Sequence, residues 1–141
     1  MDSCAFCGIV AGTADASFVY RDERVAAFLD IRPVTPGHLL VIPHEHLEGL
    51  GDLPADLRAH LFGVASRLAV AVRRSGLRCD GVNLLLADGE AGGQEVFHVH
   101  VHVIPRWTDD GFRIDAAAWS RPPPTRESLD ADAAVIRSAL G

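Results

Sequence analysis

Cysteine is scarce in this sequence, and long hydrophobic runs are absent. The chain of 141 residues contains three cysteines, an odd number that does not suit a disulfide framework and that fits a reducing compartment. No apolar run approaches the ~18 residues of a membrane span. The N-terminus MDSCAFCGIV lacks the basic start and the hydrophobic segment of a secretion signal. We therefore expect a cytoplasmic protein without membrane association.

Basic residues are outnumbered as well. Thirteen basic against nineteen acidic residues give a formal net charge of −6. This charge argues against a broad nucleic-acid-binding surface, but it does not exclude a single nucleotide in a pocket. With 48% hydrophobic residues, the chain can bury a substantial core as one domain. We therefore expect a single domain over residues 1–141 and no nucleic-acid partner.

Hydrophobic periodicity predicts a mixed fold. Short apolar segments bounded by turn residues predict strands around residues 18–20, 25–30, 39–42 and 82–86. Between the third and fourth segments, helical spacing of apolar residues predicts one long amphipathic helix from Ala55 to Ser75. Further apolar residues near the C-terminus predict a short helix. The order of these elements indicates an α+β fold, with an antiparallel sheet of about five strands, a long central helix and a short C-terminal helix.

Residues 97–106 read FHVHVHVIPR, with a histidine at every second position. The β-branched valines favour a strand, in which the three histidines share one face and the valines share the other, which we expect to be core. At about 3.3 Å per residue, the first and third histidines have Cα atoms roughly 13 Å apart. Zinc–nitrogen bonds are only about 2.0–2.1 Å long, so one ion could hardly bind all three. We therefore expect the histidines to serve different tasks.

The loop that precedes this segment is rich in glycine and ends in Gln94. Glycine lets backbone N–H groups approach an anion closely, and the Gln94 amide can add a donor. A neutral imidazole is a competent nucleophile towards phosphorus, and a neighbouring protonated histidine can donate to a phosphoryl oxygen or to a leaving group. Loop and histidines together indicate a site for phosphoryl or nucleotidyl transfer.

The histidine motif, running from His98 to Ile104, resembles the signature of the histidine triad (HIT) family. The segment Phe28–Pro43 is similar to the upstream motif of that family, and Gly92-Gly93-Gln94 to its Gly-Gln element. With Cys4-x-x-Cys7 and Ile104-Pro105-Arg106, the resemblance covers about residues 4–112 and leaves 113–141 as a less diagnostic tail. The bacterial Hint-like subgroup is the most similar, which implies a HIT-like fold and a homodimeric enzyme with a purine nucleotide substrate.

The resemblance also implies a role for each matching residue. His100 would be the nucleophile that forms a covalent nucleotidyl-histidine, His102 would contact the phosphate, and His38 would position the nucleophile. Asp30 would bind the ribose hydroxyls. The remaining substrate-binding residues would be Gly93 and Gln94 at the phosphate, Asn83, and a purine pocket of Phe6, Ile9, Phe28, Ile31 and Leu40. For each of the five pocket residues, an ordinary place in the core is an equally good interpretation.

Some members of the bacterial subgroup carry a structural zinc ion, and Cys4, Cys7, His46 and His98 fit that pattern. Two cysteines and two histidines form a closed tetrahedral ligand set of the kind that structural zinc prefers. His98 would then serve the metal while its neighbours serve phosphate. We expect structural zinc and no organic cofactor.

Two positions depart from the family pattern. Ala87 stands where many relatives have Asn, and Glu95 stands where a Ser often contacts phosphate. A carboxylate at that position would repel phosphate or restrict the leaving group, although period-two counting along a regular strand points Glu95 away from the histidines.

The predicted function is hydrolysis of nucleoside phosphoramidates or related nucleoside monophosphate derivatives through the nucleotidyl-histidine. Two alternatives remain open, a dinucleoside polyphosphate hydrolase and a zinc-stabilised nucleotide-binding adaptor with little turnover. A metalloenzyme unrelated to the family would leave Asp30, Gln94 and the cysteines unexplained.

Overall fold

A computed structural model describes residues 4–114 and 121–140 of the chain. These residues form three α-helices and five β-strands. The helices are α1 (Ala5–Ala11), α2 (Ala55–Arg74) and α3 (Arg126–Leu140), and the strands are β1 (Phe18–Arg21), β2 (Val25–Leu29), β3 (Leu39–Pro43), β4 (Gly81–Leu85) and β5 (Val101–Arg106). None of these helices is both long and apolar enough to cross a membrane.

The five strands form one antiparallel sheet in the order β1-β2-β3-β5-β4. β5 therefore lies between β3 and β4, and β4 is an outer strand. In this register His102 pairs with Leu40 of β3 on one side and with Leu85 of β4 on the other. The predicted α+β fold with an antiparallel sheet is confirmed.

The face of the sheet towards α2 holds the main core. Apolar residues of α2, among them Leu57, Leu61 and Val64, pack with Val99, Val101 and Val103, which are fully buried. Burying each such side chain contributes about 1.5–3 kcal/mol relative to leaving it exposed. The valine face of the histidine motif is therefore core, as its alternation predicts, and the long helix lies where the periodicity indicates.

The opposite face of the sheet is covered by α1, a helix that the sequence analysis did not predict. Phe6 of α1 packs on Phe28, Leu40 and other buried residues of β2 and β3. The Cys4 side chain caps the helix by accepting a hydrogen bond from the backbone N–H of Cys7. A helix of seven residues has little stability by itself, so this packing stabilises α1.

The histidine motif is less regular than the sequence suggests, because β5 begins only at Val101. The backbone N–H of Val99 donates to the carbonyl oxygen of Leu47, at 2.7 Å, and Leu47 belongs to no strand. His98 and His100 therefore precede the strand, although the ring of His100 still lies 5.0 Å from that of His102 and lines the same cavity. The prediction of one regular strand through all three histidines was wrong at this point.

The chain divides into two compact units, Met1–Gly111 and Phe112–Gly141. All five strands, α1 and α2 belong to the first unit. In the second unit, α3 is a helix of 15 residues, longer than the short helix expected, and the Thr125 side chain accepts a hydrogen bond from the backbone N–H of Ser128 at its start. A single domain over residues 1–141 stays a prediction.

Candidate functional site

A cavity of about 790 Å³ lies between α1, the end of β2 and the start of β5. Most of the residues predicted for the site line this cavity. They are the three catalytic candidates His38, His100 and His102, together with Asp30, Gly93, Phe6, Ile9, Phe28, Ile31 and Leu40. Ile31 is 90% exposed, so it contributes to the rim of the cavity and not to its floor.

The hydrogen bond of His100 determines which of its ring nitrogens can react. Nδ1 lies 2.8 Å from the backbone carbonyl oxygen of His98. Because a carbonyl only accepts, Nδ1 carries a proton and donates it, and in the neutral tautomer of the ring the lone pair is on Nε2. The ring is buried against Phe6, with ring centroids 5.2 Å apart. The hydrogen bond therefore fixes the orientation of the His100 ring and leaves Nε2 outside it.

His38 and His102 form a hydrogen-bonded pair whose tautomers are also fixed. The backbone N–H of Val34 donates to Nδ1 of His38 over 3.0 Å, so Nε2 of His38 carries the proton and donates to Nδ1 of His102, 2.9 Å away. The proton of His102 is consequently on Nε2. The pair thus leaves His102 with an N–H donor that its neighbour does not occupy.

Burial keeps both members of this pair uncharged at neutral pH. Burial lowers the pKa of His38, although the nearby Asp30 carboxylate raises it. Burial, followed by the charges that His100 and His38 would carry, lowers the pKa of His102 to about 4. At pH 7 His102 is therefore a neutral hydrogen-bond donor and not a cation.

Asp30 follows β2 directly and is partly buried beside the histidine pair. One carboxylate oxygen accepts a hydrogen bond from the backbone N–H of Arg32 at 2.9 Å, and the other lies 3.5 Å from Nε2 of His38. Ligand atoms of Asp30, His38 and His102 approach within 4.8 Å of one another, as metal ligands could. The hydrogen bonds just described account for that proximity without an ion.

Two predicted substrate residues are engaged elsewhere. Gln94 is buried and ties the loop together, because its side chain accepts from the N–H of Gly89 at 2.8 Å and donates to the carbonyl oxygens of Glu48 and Val96. Asn83 accepts a hydrogen bond from the guanidinium of Arg106. The described lining of the cavity includes neither side chain, so Gln94 acts on the site by holding the loop.

Cys4, Cys7, His46 and His98 converge at the start of α1. Their ligand atoms all lie within 4.8 Å of one another, and three thiol–Nδ1 distances are 3.3, 3.5 and 3.7 Å. Nε2 of His98 donates to the carbonyl oxygen of Pro43 at 2.8 Å, so the Nδ1 lone pair faces the thiols. Tetrahedral zinc would separate a sulfur and a nitrogen ligand by about 3.6 Å, so these residues fit a zinc ion.

His98 joins this cluster to His100. Its ring faces the thiols, while its backbone carbonyl accepts the Nδ1 proton of His100. Phe6 lies edge-on to both rings, at 5.8 Å from His98 and 5.2 Å from His100. The two histidines thus have different surroundings, because the ring of His98 faces the cysteines and the ring of His100 lines the cavity.

Glu95 also lines the cavity of the histidines. The alternation of side chains along a regular strand predicted that Glu95 points away from the histidines. Residues 95–100 are not in a strand, so that alternation does not apply to Glu95. The sequence analysis missed the two backbone groups that orient the site, the N–H of Val34 and the carbonyl of His98, because no side-chain motif marks them.

Comparison with known proteins identifies one family for most of the chain. The HIT domain model matches residues 11–109. An uncharacterized HIT-like protein of Mycobacterium tuberculosis is 39% identical over 137 residues, covering 97% of this chain and 92% of that protein. A Zn-bound histidine triad family protein from Mycobacterium smegmatis is 44% identical, with a TM-score of 0.76 and 98% of each chain covered. A HIT family hydrolase from Legionella pneumophila is 36% identical, with a TM-score of 0.64, over 80% of this chain and 96% of that one.

Proposed function

Since the chain belongs to the HIT domain family, we propose that it is a nucleotide hydrolase that works through a covalent nucleotidyl-His100 intermediate. Its substrates would be nucleoside phosphoramidates or related derivatives of nucleoside monophosphates. The similarity to a HIT family hydrolase supports hydrolysis at the level of the family. The observation that carries the proposal is the orientation of His100, whose Nδ1 donates to the His98 carbonyl, so that in the neutral ring Nε2 is the nitrogen with the lone pair.

The first step transfers the nucleotide to the protein. The lone pair on Nε2 of His100 forms a bond to phosphorus while the P–N or P–O bond to the leaving group breaks. The leaving group departs with the bonding electrons and takes a proton from solvent. The His100 ring becomes cationic, which strengthens the Nδ1–H hydrogen bond to the His98 carbonyl. The Nε2–H of His102 would donate to a phosphoryl oxygen as the geometry at phosphorus changes.

The second step restores the protein. The oxygen of a water molecule attacks phosphorus, the bond to Nε2 breaks, and one proton goes to the solvent. The products are a nucleoside monophosphate and neutral His100. Because burial keeps His102 neutral at pH 7, the pair with His38 contributes oriented hydrogen bonds and no charge to either step.

The apolar part of the cavity suits a purine base. Phe6 and Phe28 meet edge-on with ring centroids 5.6 Å apart, and Ile9 and Leu40 complete an apolar wall. Asp30, on the same cavity, would accept hydrogen bonds from the ribose hydroxyls through its carboxylate. This arrangement supports the purine pocket expected from the resemblance.

We also propose that Cys4, Cys7, His46 and His98 hold a structural zinc ion, as the donor set and its distances support. Four protein ligands leave no open position, so the ion would contribute stability and not Lewis-acid chemistry. A homodimer and a cytoplasmic location stay predictions. For the homodimer, β4 is an outer strand with Leu84 and Leu85 exposed, which a second copy could cover.

Mass spectrometry tests the central step. Protein mixed with adenosine 5′-phosphoramidate and quenched in base, where a phosphohistidine survives, should gain the mass of one adenylyl group on the peptide that contains His100. Full substrate turnover with no adduct on that peptide would contradict the covalent mechanism. Absence of turnover of both the phosphoramidate and a diadenosine polyphosphate, with binding intact, would support the adaptor alternative instead.

Replacing Glu95 with serine is expected to raise the affinity for AMP several-fold. Two negative charges about 5 Å apart repel by roughly 1 kcal/mol in water and by a few times that at a lower effective dielectric. The serine removes the repulsion and adds a hydroxyl donor. Titration calorimetry at low and high salt measures the effect, which should be larger at low salt.

Glu90→Ser is the control, since Glu90 is exposed in the same loop and outside the cavity lining. Equal affinities of Glu95→Ser and parent at both salt concentrations would contradict this role.

A further inference from the structure

The pair of His38 and His102 can serve the proposed reaction only while its protons stay on the right nitrogens. A neutral imidazole carries one proton, on either ring nitrogen, and the hydrogen bond made by one nitrogen decides the state of the other. Nδ1 of His38 is kept as an acceptor by the backbone N–H of Val34, 3.0 Å away. The tautomer of both rings therefore depends on the position of one backbone N–H in the loop between β2 and β3.

The end of this loop is held by backbone hydrogen bonds of its own. The N–H of Asp30 donates to the carbonyl oxygen of His38 at 2.9 Å, and the N–H of His38 donates to the carbonyl oxygen of Thr35 at 3.1 Å. These bonds place His38 within its loop. They do not connect the loop to β5, the strand that carries His102.

The side chain of Thr35 makes that connection. Thr35 is buried, and its hydroxyl donates to the carbonyl oxygen of Pro105 at 2.6 Å. Pro105 belongs to β5, three residues after His102. A buried carbonyl that loses its donor is left unsatisfied, so this bond is costly to break. Because Thr35 follows Val34 directly, the bond holds the Val34 N–H in place relative to β5.

A second contact brings the same loop close to Pro105. Gly37 has a φ of +94°, a conformation that favours glycine. A Cβ atom at this position would lie 2.9 Å from Cδ1 of Leu77 and 3.3 Å from Cγ of Pro105. The loop thus packs on Pro105 through Gly37, immediately before His38, and the Thr35 hydroxyl adds a directed bond to that packing.

We propose that Thr35 is a positioning residue whose hydroxyl, through Val34, keeps His38 and His102 in the tautomer that leaves a proton on Nε2 of His102. The inference rests on the proposed function, because that proton is the one offered to the phosphoryl oxygen. Without the hydroxyl the loop shifts on Pro105, and His38 carries its proton on Nδ1 in part of the molecules. Nε2 of His38 then accepts the proton that His102 now carries on Nδ1, and Nε2 of His102 has none to donate.

Three variants separate the hydroxyl from the shape of the side chain. Thr35→Val replaces the hydroxyl with a methyl group of similar size, and Thr35→Ser keeps the hydroxyl. Thr13→Val is the matched control, because the Thr13 hydroxyl also donates to a backbone carbonyl, that of Gly8 at 3.2 Å, outside the lining of the cavity that holds the histidines. Thr35→Ala gives the same comparison if Thr35→Val does not fold.

The tautomers are measured directly by ¹⁵N NMR of protein labelled in its histidine rings, with signals assigned from His38→Gln and His102→Gln. The parent, Thr35→Ser and Thr13→Val should show both rings protonated on Nε2 alone. Thr35→Val should show a second population protonated on Nδ1. This readout requires no turnover, and a change in packing alone would not produce it.

Turnover of adenosine 5′-phosphoramidate supplies the second readout. Thr35→Val should lower kcat by about tenfold to a hundredfold, less than the roughly 10²–10³-fold loss that follows complete removal of such a donor. Its KM should change by less than about threefold, since the donor acts mainly as the geometry at phosphorus changes. Thr35→Ser and Thr13→Val should keep kcat within about twofold of the parent.

The outcomes distinguish this inference from the proposed function. Parent tautomers in Thr35→Val overturn the positioning role, whether or not kcat falls, and so does an equal loss of kcat in Thr35→Ser. Altered tautomers in Thr35→Val, with a parent that turns over no substrate and forms no adduct on His100, overturn the proposed function. In that case the control of the tautomers by Thr35 stands, but its role in the reaction falls.

Discussion

Replacing His100 with alanine is expected to lower kcat by about three to six orders of magnitude, the range seen when a catalytic nucleophile is removed. Neither of the other two histidines in the lining of the cavity offers a nitrogen held in the same way, because Nδ1 of His102 accepts a hydrogen bond from His38 and Nδ1 of His38 accepts one from Val34. Steady-state turnover of adenosine 5′-phosphoramidate measures the loss, and AMP affinity should change far less than kcat.

The His100 prediction needs a check on folding, because the ring packs on Phe6 in the core. His100→Asn keeps a polar side chain at the position and should show the same loss of turnover with a smaller change in melting temperature. His60→Ala is the matched control, since His60 bonds to Asp22 and lies outside the cavity lining, and it should keep normal turnover. Near-normal kcat in a well-folded His100→Ala would rule out the nucleotidyl-histidine.

Local patterns in the sequence account for most of the fold. Helical spacing over twenty residues is a strong signal, and α2 lies where Leu57, Leu61 and Val64 indicate. Alternation of apolar and histidine residues correctly assigned Val101 and Val103 to the core. These features depend on side-chain periods that one segment contains in full, so a single sequence suffices to read them.

Features set by tertiary contacts were not predictable in the same way. α1 is too short to show a period, and it depends on Phe6 packing against strands that lie later in the chain. β5 begins only at Val101, and the backbone N–H of Val99 before it donates to Leu47, a residue far away in sequence. Likewise, the buried hydrogen bonds of Gln94 depend on Glu48, far away in sequence. The sequence motifs predicted most of the residues that line the cavity. The backbone hydrogen bonds, which no motif marks, determine which ring nitrogen of each histidine is left to contact a ligand.

Removing the thiols of Cys4 and Cys7 from the Cys/His cluster should have the largest effect on stability. We expect the parent protein, prepared without chelator, to contain close to one zinc ion per chain, and Cys4→Ser with Cys7→Ser to contain almost none. Binding of zinc to the folded chain alone adds its binding free energy to folding stability. Each kcal/mol lost lowers the melting temperature of a domain of this size by roughly 2–8 °C, so the double variant should melt at least about 10 °C lower.

Elemental analysis measures the zinc content and calorimetry measures the melting temperature. The chain also offers a control cysteine. Cys79 lies outside the cluster and donates its thiol proton to the carbonyl of Gly81, so Cys79→Ser should keep the zinc and nearly the parent melting temperature. A strong chelator added to the parent should lower its melting temperature to that of the double variant. The same chelator added to the double variant should change the melting temperature little.

Because Cys4 caps α1, and α1 supplies Phe6 to the wall beside His100, metal loss should also weaken AMP binding. A metal-free parent that melts at the same temperature with and without added zinc would show that the four side chains hold no structural ion, and that the cap and Phe6 packing alone stabilise α1.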